Sequence, residues 1–231
     1  MNIAVLSAFR DCSWKHITRY FHQVRSLQDY LPHDNITCYA VEGDSINDTA
    51  GMIQSAAKSH LISLSLSHYH HGYPNWGSVE SSERMSALTG VMKALMSSVD
   101  PKDEDVCLYV ESDLIWEADT ASRLIRLATY HERFNVFAPL IMAGENFYDV
   151  WAFRDIDGNR FGPFHPFCKY LNEYFDLLLE VNSVGSCLAF RSSLAHNVNV
   201  EGEECLVSWC NSARKQGYRI AVDPTLIVRH P

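Results

Sequence analysis

Two carboxylates stand one residue apart in the stretch LYVESDLIWEAD, residues 108–119. Glu111 and Asp113 follow a strand-like apolar segment and precede a second apolar triplet. A carboxylate is costly to place inside an apolar run unless a cation meets it. Where a chain turns at the end of a strand, side chains at positions i and i+2 can converge on one hard cation, and their oxygens suit Mg²⁺ or Mn²⁺. We therefore predict a divalent-metal site at this pair, because the alternative, a cluster of first-turn helix charges, explains Glu117 and Asp119 but not the earlier two.

A second polar cluster follows the apolar run 36–41 and contains Glu42 and Asp44. The carboxyl ends of parallel strands are where open α/β sheets bind ligands, and acidic residues there can accept hydrogen bonds from a ribose or a base. The alternative is a polar turn in which Asp48 or Thr49 caps the next helix. The residues alone leave both interpretations open.

The elements that must position these groups follow from apolar periodicity. Seven runs predict buried strands, at 2–8, 36–41, 61–66, 106–110, 134–141, 184–190 and 219–222. Three- and four-residue spacings predict helices at 14–31, 80–98, 118–131 and 201–216. Strands that alternate with helices imply an α/β domain with a mainly parallel central sheet flanked by helices. The aromatic, Gly- and Pro-rich stretch 143–170 predicts a long loop over one face of that sheet.

Composition narrows the class of protein. The chain has 231 residues and is 47% hydrophobic, which is enough for a sizeable core within one domain. Its net charge of -9 argues against broad, sequence-independent binding to nucleic acid, although it leaves room for a local basic groove. No apolar run reaches the length of a membrane helix, and the N-terminus lacks the features of a signal peptide, so we expect no membrane insertion. The seven cysteines are scattered and form no CxxC, which favours free thiols in a reducing cytoplasm.

Histidines occur at two places that could contribute to a site. In the loop 67–78, His68, His70 and His71 lack a clear fourth ligand, so we predict a mobile loop that shapes a binding site rather than a transition-metal site. His230 closes a strand almost at the last residue of the sequence. A lone histidine is more often structural than a ligand, but its place at a strand end makes His230 a candidate.

Motifs in chain order resemble those of the nucleotide-sugar glycosyltransferases of the GT-A fold, in particular family 2-like members. VEGDSINDT, residues 41–49, resembles the segment with which that family contacts the base and the ribose. VESD, residues 110–113, resembles its DxD metal motif, with a glutamate in the first acidic place. The ending from Glu203 to His230, with GYRI and DP between them, resembles the family's "ED … GY-R-I … DP … V-x-H" pattern.

A narrower likeness, to the Anp1/Mnn9-type branch, rests on SVGS at 183–186 and YDVW at 148–151. An SVGG-like turn and a YD…W acceptor segment recur in that branch, and here Ser186 takes the place of the second glycine. The resemblance implies a single GT-A-like, Rossmann-like domain over residues 1–231. Its nucleotide-sugar-binding half would be 1–113 and its acceptor-side half 114–231.

The resemblance also implies a role for each candidate residue. The nucleotide donor would contact Ala8, Phe9, Arg10, Glu42, Asp44 and Ser112, and Arg84 would hold its diphosphate. Mn²⁺ or Mg²⁺ would be held by Asp113, Glu111 and His230, where it would neutralise the leaving diphosphate. The acceptor would be oriented or deprotonated by Glu204 by preference, or by Glu203, with Asp149 as the third candidate.

The predicted function is therefore metal-dependent transfer of a sugar from a nucleotide diphosphate sugar to an acceptor hydroxyl on a glycan, a protein or a modified base in nucleic acid. A nucleotidyltransferase is the alternative enzyme. It would usually need a Gly-rich, basic phosphate loop near the N-terminus, whereas residues 2–11 contain no glycine and one arginine. A non-catalytic sugar- or nucleotide-binding module of the same fold is the alternative outside enzymes. The sequence leaves the donor, the stereochemical outcome and the oligomeric state open.

Overall fold

The computed structural model of the chain describes residues 1–74, 77, 79–162 and 178–231. Its strands are β1 (Asn2–Phe9), β2 (Asn35–Glu42), β3 (Ser63–His68), β4 (Val106–Val110), β5 (Val136–Ala143), β6 (Asn146–Phe147), β7 (Leu179–Val181), β8 (Cys187–Arg191) and β9 (Ile220–Arg229). Its helices within those residues are α1 (Trp14–Tyr30), α2 (Thr49–Ser59), α3 (Ser82–Ser97), α4 (Ala118–Tyr130), α5 (Ser193–Asn197) and α6 (Leu206–Lys215).

The strands form one sheet in the order β3-β2-β1-β4-β8-β5-β9-β7, and β6 pairs with β5. Neighbours among β3, β2, β1 and β4 are parallel, and β5 is parallel to β9. Because β8 lies between β4 and β5 and is antiparallel to both, β5 and β9 run in the same direction as β1. The predicted mainly parallel sheet is confirmed, with β6, β7 and β8 running the other way.

Helices cover both faces of the sheet, which explains why β1 reads as a nearly continuous apolar run. Val5 of β1 belongs to the core that α1, α2 and α4 cover. The next residue, Leu6, belongs to the core on the other face, where α3, α5 and α6 pack and Trp209 is fully buried. None of the helices in the described part of the chain is long and apolar enough to cross a membrane.

Capping side chains explain where three of the helices begin. Ser13 accepts a hydrogen bond from the backbone of His16 at the start of α1, and Ser81 does the same for Arg84 at the start of α3. Asp48 caps α2 by accepting from the backbone of Gly51. The capped polar turn considered for residues 42–49 is therefore present.

Several predicted bounds were wrong. The strand predicted at 219–222 is β9, which continues through Pro224 to Arg229. Its register against β5 shifts around Pro224, which accommodates a residue that cannot donate a hydrogen bond to the neighbouring strand. The strand predicted at 184–190 begins only at Cys187, and α6 begins at Leu206 rather than at 201.

The loop predicted at 143–170 contains the short strand β6, and its part from 163 to 170 lies outside the described residues. From 148 to 162 it forms turns, and its β pairing is limited to isolated bridges at Arg154. The cysteines of the described residues are free thiols, as predicted, and Cys168 lies outside that part of the chain.

The carboxyl ends of three strands lie at one edge of the sheet. β1 ends at Phe9, β2 at Glu42 and β4 at Val110. β1 pairs with β2 along one side and with β4 along the other. The order of the strands in the sheet therefore reverses direction at β1. In open α/β sheets such a switch opens a crevice at the strand ends, and the predicted acidic residues follow two of these three ends.

Candidate active site

The segment after β4, residues 111–114, which we call the acidic loop, is held by backbone hydrogen bonds. The backbone N–H of Glu111 donates to the carbonyl of Ser186 at 2.8 Å, and that of Leu114 donates back to the carbonyl of Glu111 at 3.1 Å. Ile115 and Arg229 then exchange two hydrogen bonds of 2.8 Å each, which ties the end of the loop to β9. The loop therefore has a defined path at the edge of the sheet.

Asp113 and His230 lie together, although 117 positions separate them in the sequence. Nε2 of His230 is 3.2 Å from Oδ2 of Asp113, and the imidazole stacks on the ring of Tyr148 at 3.8 Å between centroids. Oδ1 of Asp113 is buried and has no hydrogen-bond partner in the described structure. A buried carboxylate oxygen without a donor is expensive in a protein unless a cation occupies the space beside it.

Two further carboxylates lie near Asp113 and have perturbed acidities. Burial raises the pKa of Glu111 to about 8, and the charges of Asp113 and Asp149 add to the rise. Burial also raises the pKa of Asp149 to about 6, while its contacts with Ser186 and with the backbone of Ala152 and Gly185 oppose the rise. Oδ2 of Asp149 is buried without a hydrogen-bond partner among the described residues. This concentration of negative charge is what a divalent cation would relieve.

The donor set fits Mn²⁺ or Mg²⁺, which prefer carboxylate oxygens and, for Mn²⁺, also accept imidazole nitrogen. In the part of the chain that the structure describes, no three His, Cys, Asp or Glu side chains already converge as a preformed metal cluster. The candidate ligands are therefore the close pair of Asp113 and His230, with Glu111 on the same loop.

A cleft of about 340 Å³, which we call the first cleft, opens at the ends of β1 and β4. Of the predicted residues, those that line it are Ala8, Phe9, Arg10, Arg84, Glu111, Ser112 and Asp113. All belong to the segment 1–113 that was predicted to bind the nucleotide sugar. His16 and His71 also line the cleft. His71 was predicted only as part of a loop that shapes a binding site. His16 was not predicted, and its only signal was its place on the amphipathic helix α1.

Glu42 and Asp44 do not line the first cleft, although Gly43 between them does. The carboxylate of Glu42 accepts a hydrogen bond from the backbone of Ser45 at 2.8 Å and lies 3.1 Å from Nδ1 of His68.

The carboxylate of Asp44 accepts hydrogen bonds from the backbone N–H groups of His71 and Gly72, each at 2.8 Å. Both carboxylates thus organise residues 68–72, which we call the histidine loop and which border the cleft at His71, and a contact with the nucleoside stays a proposal.

We expect Asp44→Ala to weaken the binding of UDP or GDP because the loop that places His71 on the cleft loses its anchor. The hydrogen bond with His70, followed by those from the backbone of Gly72 and His71, lowers the pKa of Asp44 to about 2. The ionised carboxylate of Asp44 therefore stabilises the folded state above about pH 4, and this contribution is lost as the pH falls through about 2. The variant should lose about 1.5–3 kcal/mol of unfolding free energy at neutral pH.

Calorimetry of nucleotide binding and thermal unfolding check this expectation. Asp48→Ala is a suitable control, since it removes the cap of α2 without touching the histidine loop. An unchanged nucleotide affinity in Asp44→Ala would contradict the role of the loop.

A second cleft, of about 390 Å³, adjoins the first. Its walls include Arg84, Glu111, Tyr148, Asp149, Trp151, Ala152, Gly185 and Ser186. Arg84 and Glu111 therefore line both clefts. The two clefts meet at a carboxylate and a guanidinium.

The turn that follows β7 shapes the floor of the second cleft. A Cβ atom on Gly185 would lie 2.5 Å from Cβ of Ala152 and 3.0 Å from Oδ2 of Asp149, so only glycine fits there. The next residue, Ser186, has a φ of 57°, in the left-handed region that glycine adopts most easily. The SVGS turn therefore brings Asp149 and the acidic loop together, and its serine retains the glycine-like backbone.

Glu203 and Glu204 lie on an exposed groove beside the second cleft. They precede α6, because the helix begins at Leu206 and not at residue 201 as predicted. With Trp151 and Arg160 they line a groove of about 400 Å³. Of the three candidates for acceptor activation, the structure places only Asp149 beside Glu111.

No protein-family model matches the chain, and no curated protein sequence matches it. Solved structures do match. "Mannosyltransferase PcManGT from Pyrobaculum calidifontis in complex with GDP-Man and Mn2+" is 12% identical, with a TM-score of 0.59 over 98% of this chain and 56% of that chain. S. aureus TarS 1-349 in complex with UDP is 15% identical, with a TM-score of 0.56 over 99% of this chain and 60% of that chain.

A crystal structure of a mycobacterial protein is 12% identical, with a TM-score of 0.57 over all of this chain and 67% of that chain. The chain spans between 56% and 67% of the length of these three structures. At such identities the likeness concerns the fold.

Proposed function

Because the chain has the fold of GT-A type glycosyltransferases, we propose that it transfers a sugar from a nucleotide diphosphate sugar to an acceptor hydroxyl with the help of a divalent cation. One observation carries the proposal. Two clefts meet at Glu111, with Asp113 on the wall of the first cleft and Asp149 on the wall of the second. A donor and an acceptor could each occupy a cleft and react where the clefts join.

The first cleft suits the nucleotide sugar. Ala8, Phe9 and Arg10 at the end of β1 would contact the nucleoside half. Ser112 belongs to the acidic loop and Arg84 also lines this cleft, so a hydroxyl and a guanidinium would donate to the diphosphate there. The GDP-Man and Mn²⁺ named for PcManGT and the UDP named for TarS support this class of ligand without identifying the base or the sugar.

Asp113, His230 and Glu111 would hold the cation. A divalent cation in this place neutralises charge on the departing diphosphate. Asp113 offers the buried oxygen that has no hydrogen-bond partner among the described residues, and His230 approaches the other oxygen of the same carboxylate. Arg84, on the wall shared by both clefts, would add a second positive charge beside the same leaving group.

Asp149 is the residue we propose as the general base. Its raised pKa of about 6 leaves it ionised at neutral pH yet basic enough to take a proton from a hydroxyl. Tyr148 and Trp151 beside it offer ring surface for the C–H face of a sugar acceptor, although a protein or a modified nucleic acid would also present a hydroxyl. Glu204 and Glu203, on the adjoining groove, would contact the more distant part of the acceptor.

A panel of nucleotide sugars tests the proposal, with Mn²⁺ present and the release of nucleoside diphosphate as the readout. We expect one donor to be turned over, slowly with water and faster with its acceptor. Release of pyrophosphate from a nucleoside triphosphate and a sugar phosphate would instead identify a nucleotidyltransferase. Binding of a nucleotide sugar without any turnover of the panel would favour a non-catalytic module.

A further inference from the structure

Three consecutive carbonyl oxygens of the acidic loop accept hydrogen bonds from one face of α1. Nε2 of His16 donates to the carbonyl of Ser112 at 2.7 Å, and it must carry the proton because a carbonyl can only accept. Nη2 of Arg19 donates to the carbonyl of Asp113 at 2.6 Å. Nε2 of Gln23 donates to the carbonyl of Leu114 at 3.1 Å.

The spacing of the donors explains how one helix reaches three successive residues. Positions 16, 19 and 23 are separated by three and four residues, so they lie on one face of α1. Gln23 is buried, with 8% of its surface exposed, and His16 and Arg19 are partly buried. Desolvating and ordering a glutamine or an arginine side chain costs free energy. Here the hydrogen bonds to the backbone carbonyls of the loop offset that cost and restrain the loop.

The two preceding carbonyls are also occupied. That of Val110 accepts a hydrogen bond of 2.6 Å from the hydroxyl of Ser7, which in turn lies 2.6 Å from the hydroxyl of Tyr20 on α1. That of Glu111 accepts from the backbone of Leu114. Every carbonyl from 110 to 114 therefore has a donor within the chain. The loop that presents two mutually repelling carboxylates is restrained along its whole length.

We propose that His16, Arg19 and Gln23 are positioning residues that hold the acidic loop in the conformation that binds the divalent cation. The proposal rests on the proposed function for the identity of the cation, but the restraint itself is a property of the chain without metal. Outer residues that orient metal ligands typically change metal affinity by about 10- to 100-fold when they are replaced. Because α1 packs in the core that it shares with α2 and α4, the packing of this helix would then contribute to the metal affinity.

Methionine variants test this proposal, since methionine matches the length of glutamine, replaces the aliphatic stem of arginine and removes the donors of both. Gln23→Met and Arg19→Met are compared with Gln28→Met and Arg25→Met, which alter the same residue types on the same helix away from the loop. Gln28 bonds to the carbonyls of Leu31 and Asp34, and Arg25 pairs with Asp29. Arg19→Lys is the conservative variant, because it retains a donor.

Two readouts separate positioning from general stability. Titration of Mn²⁺, followed by electron paramagnetic resonance of the free ion, gives the metal affinity, and hydrogen exchange in the metal-free chain reports on the amides of 111–114. We expect Gln23→Met and Arg19→Met to weaken Mn²⁺ binding about 10- to 100-fold and to speed exchange in the loop. The two control variants should change neither, and Arg19→Lys should recover most of the affinity.

Unchanged metal affinity and unchanged exchange in both test variants would overturn the proposal, whatever their melting temperatures. Equal effects in test and control variants would also overturn it, since a general loss of helix stability would then explain them. If the wild-type chain bound no Mn²⁺, the cation of the proposed function would fail. The exchange rates alone would then decide whether α1 holds the loop.

Discussion

Asp113→Asn is expected to reduce metal-dependent sugar transfer by about a hundredfold or more while the chain stays folded. The substitution replaces an anionic ligand by a neutral amide of the same shape. It also leaves the carbonyl of residue 113, which Arg19 holds, in place. Mn²⁺-dependent release of nucleoside diphosphate and thermal unfolding measure the two halves of this expectation.

Asp119→Asn is the matched control for that experiment. Asp119 lies exposed in the first turn of α4 and accepts a hydrogen bond from Tyr30, away from both clefts. Its replacement should leave transfer near the wild-type rate. If Asp113→Asn kept its activity at an unchanged dependence on Mn²⁺, the metal would not lie at the acidic loop.

The second large effect is expected for Asp149→Asn, which should lower kcat by about a hundredfold or more if Asp149 is the general base. The wild-type rate should fall as the pH drops through about 6, because burial raises the pKa of Asp149 to that value and a protonated carboxyl cannot accept the proton. The variant should lose this limb of the pH profile. Donor affinity should change little, since Asp149 lines the second cleft and not the first.

Glu203→Gln and Glu204→Gln provide the comparison for Asp149→Asn. Both residues are exposed on the groove beside the second cleft, so we expect each variant to keep most of kcat and to raise the KM for the acceptor. A hundredfold loss of kcat in either glutamine variant, with normal rates in Asp149→Asn, would move the base to that position.

The parts of the fold that depend on local pattern were predictable. β1, β2 and β4 are apolar runs with polar residues at or just after their ends, and parallel strands bring such ends to one edge. The acidic loop could therefore be located from the sequence, because its carboxylates interrupt an apolar stretch. The starts of helices that a serine or an aspartate caps, as at Ser81 and Asp48, depend on residues close in sequence and were also predictable.

The parts that depend on tertiary partners were not predictable from the sequence. Asp44 follows a strand as a ligand-binding residue would, yet its carboxylate bonds to backbone N–H groups 27 and 28 positions later. Gln23 reads as an ordinary helix residue until its bond to Leu114, 91 positions away, is seen. Asp149 ranked below Glu204 because nothing local shows that a glycine turn near residue 185 buries it beside Glu111.

Calorimetric titration of UDP and GDP, each with and without Mn²⁺, tests most directly whether a cation links the acidic loop to a nucleoside diphosphate in the first cleft. We expect at least one of the two nucleotides to bind about tenfold or more tightly when Mn²⁺ is present, a difference of about 1.4 kcal/mol. In Asp113→Asn this difference should disappear while the weaker, metal-free affinity remains. Equal affinities with and without Mn²⁺ in the wild-type chain, for both nucleotides, would contradict a metal-linked donor site.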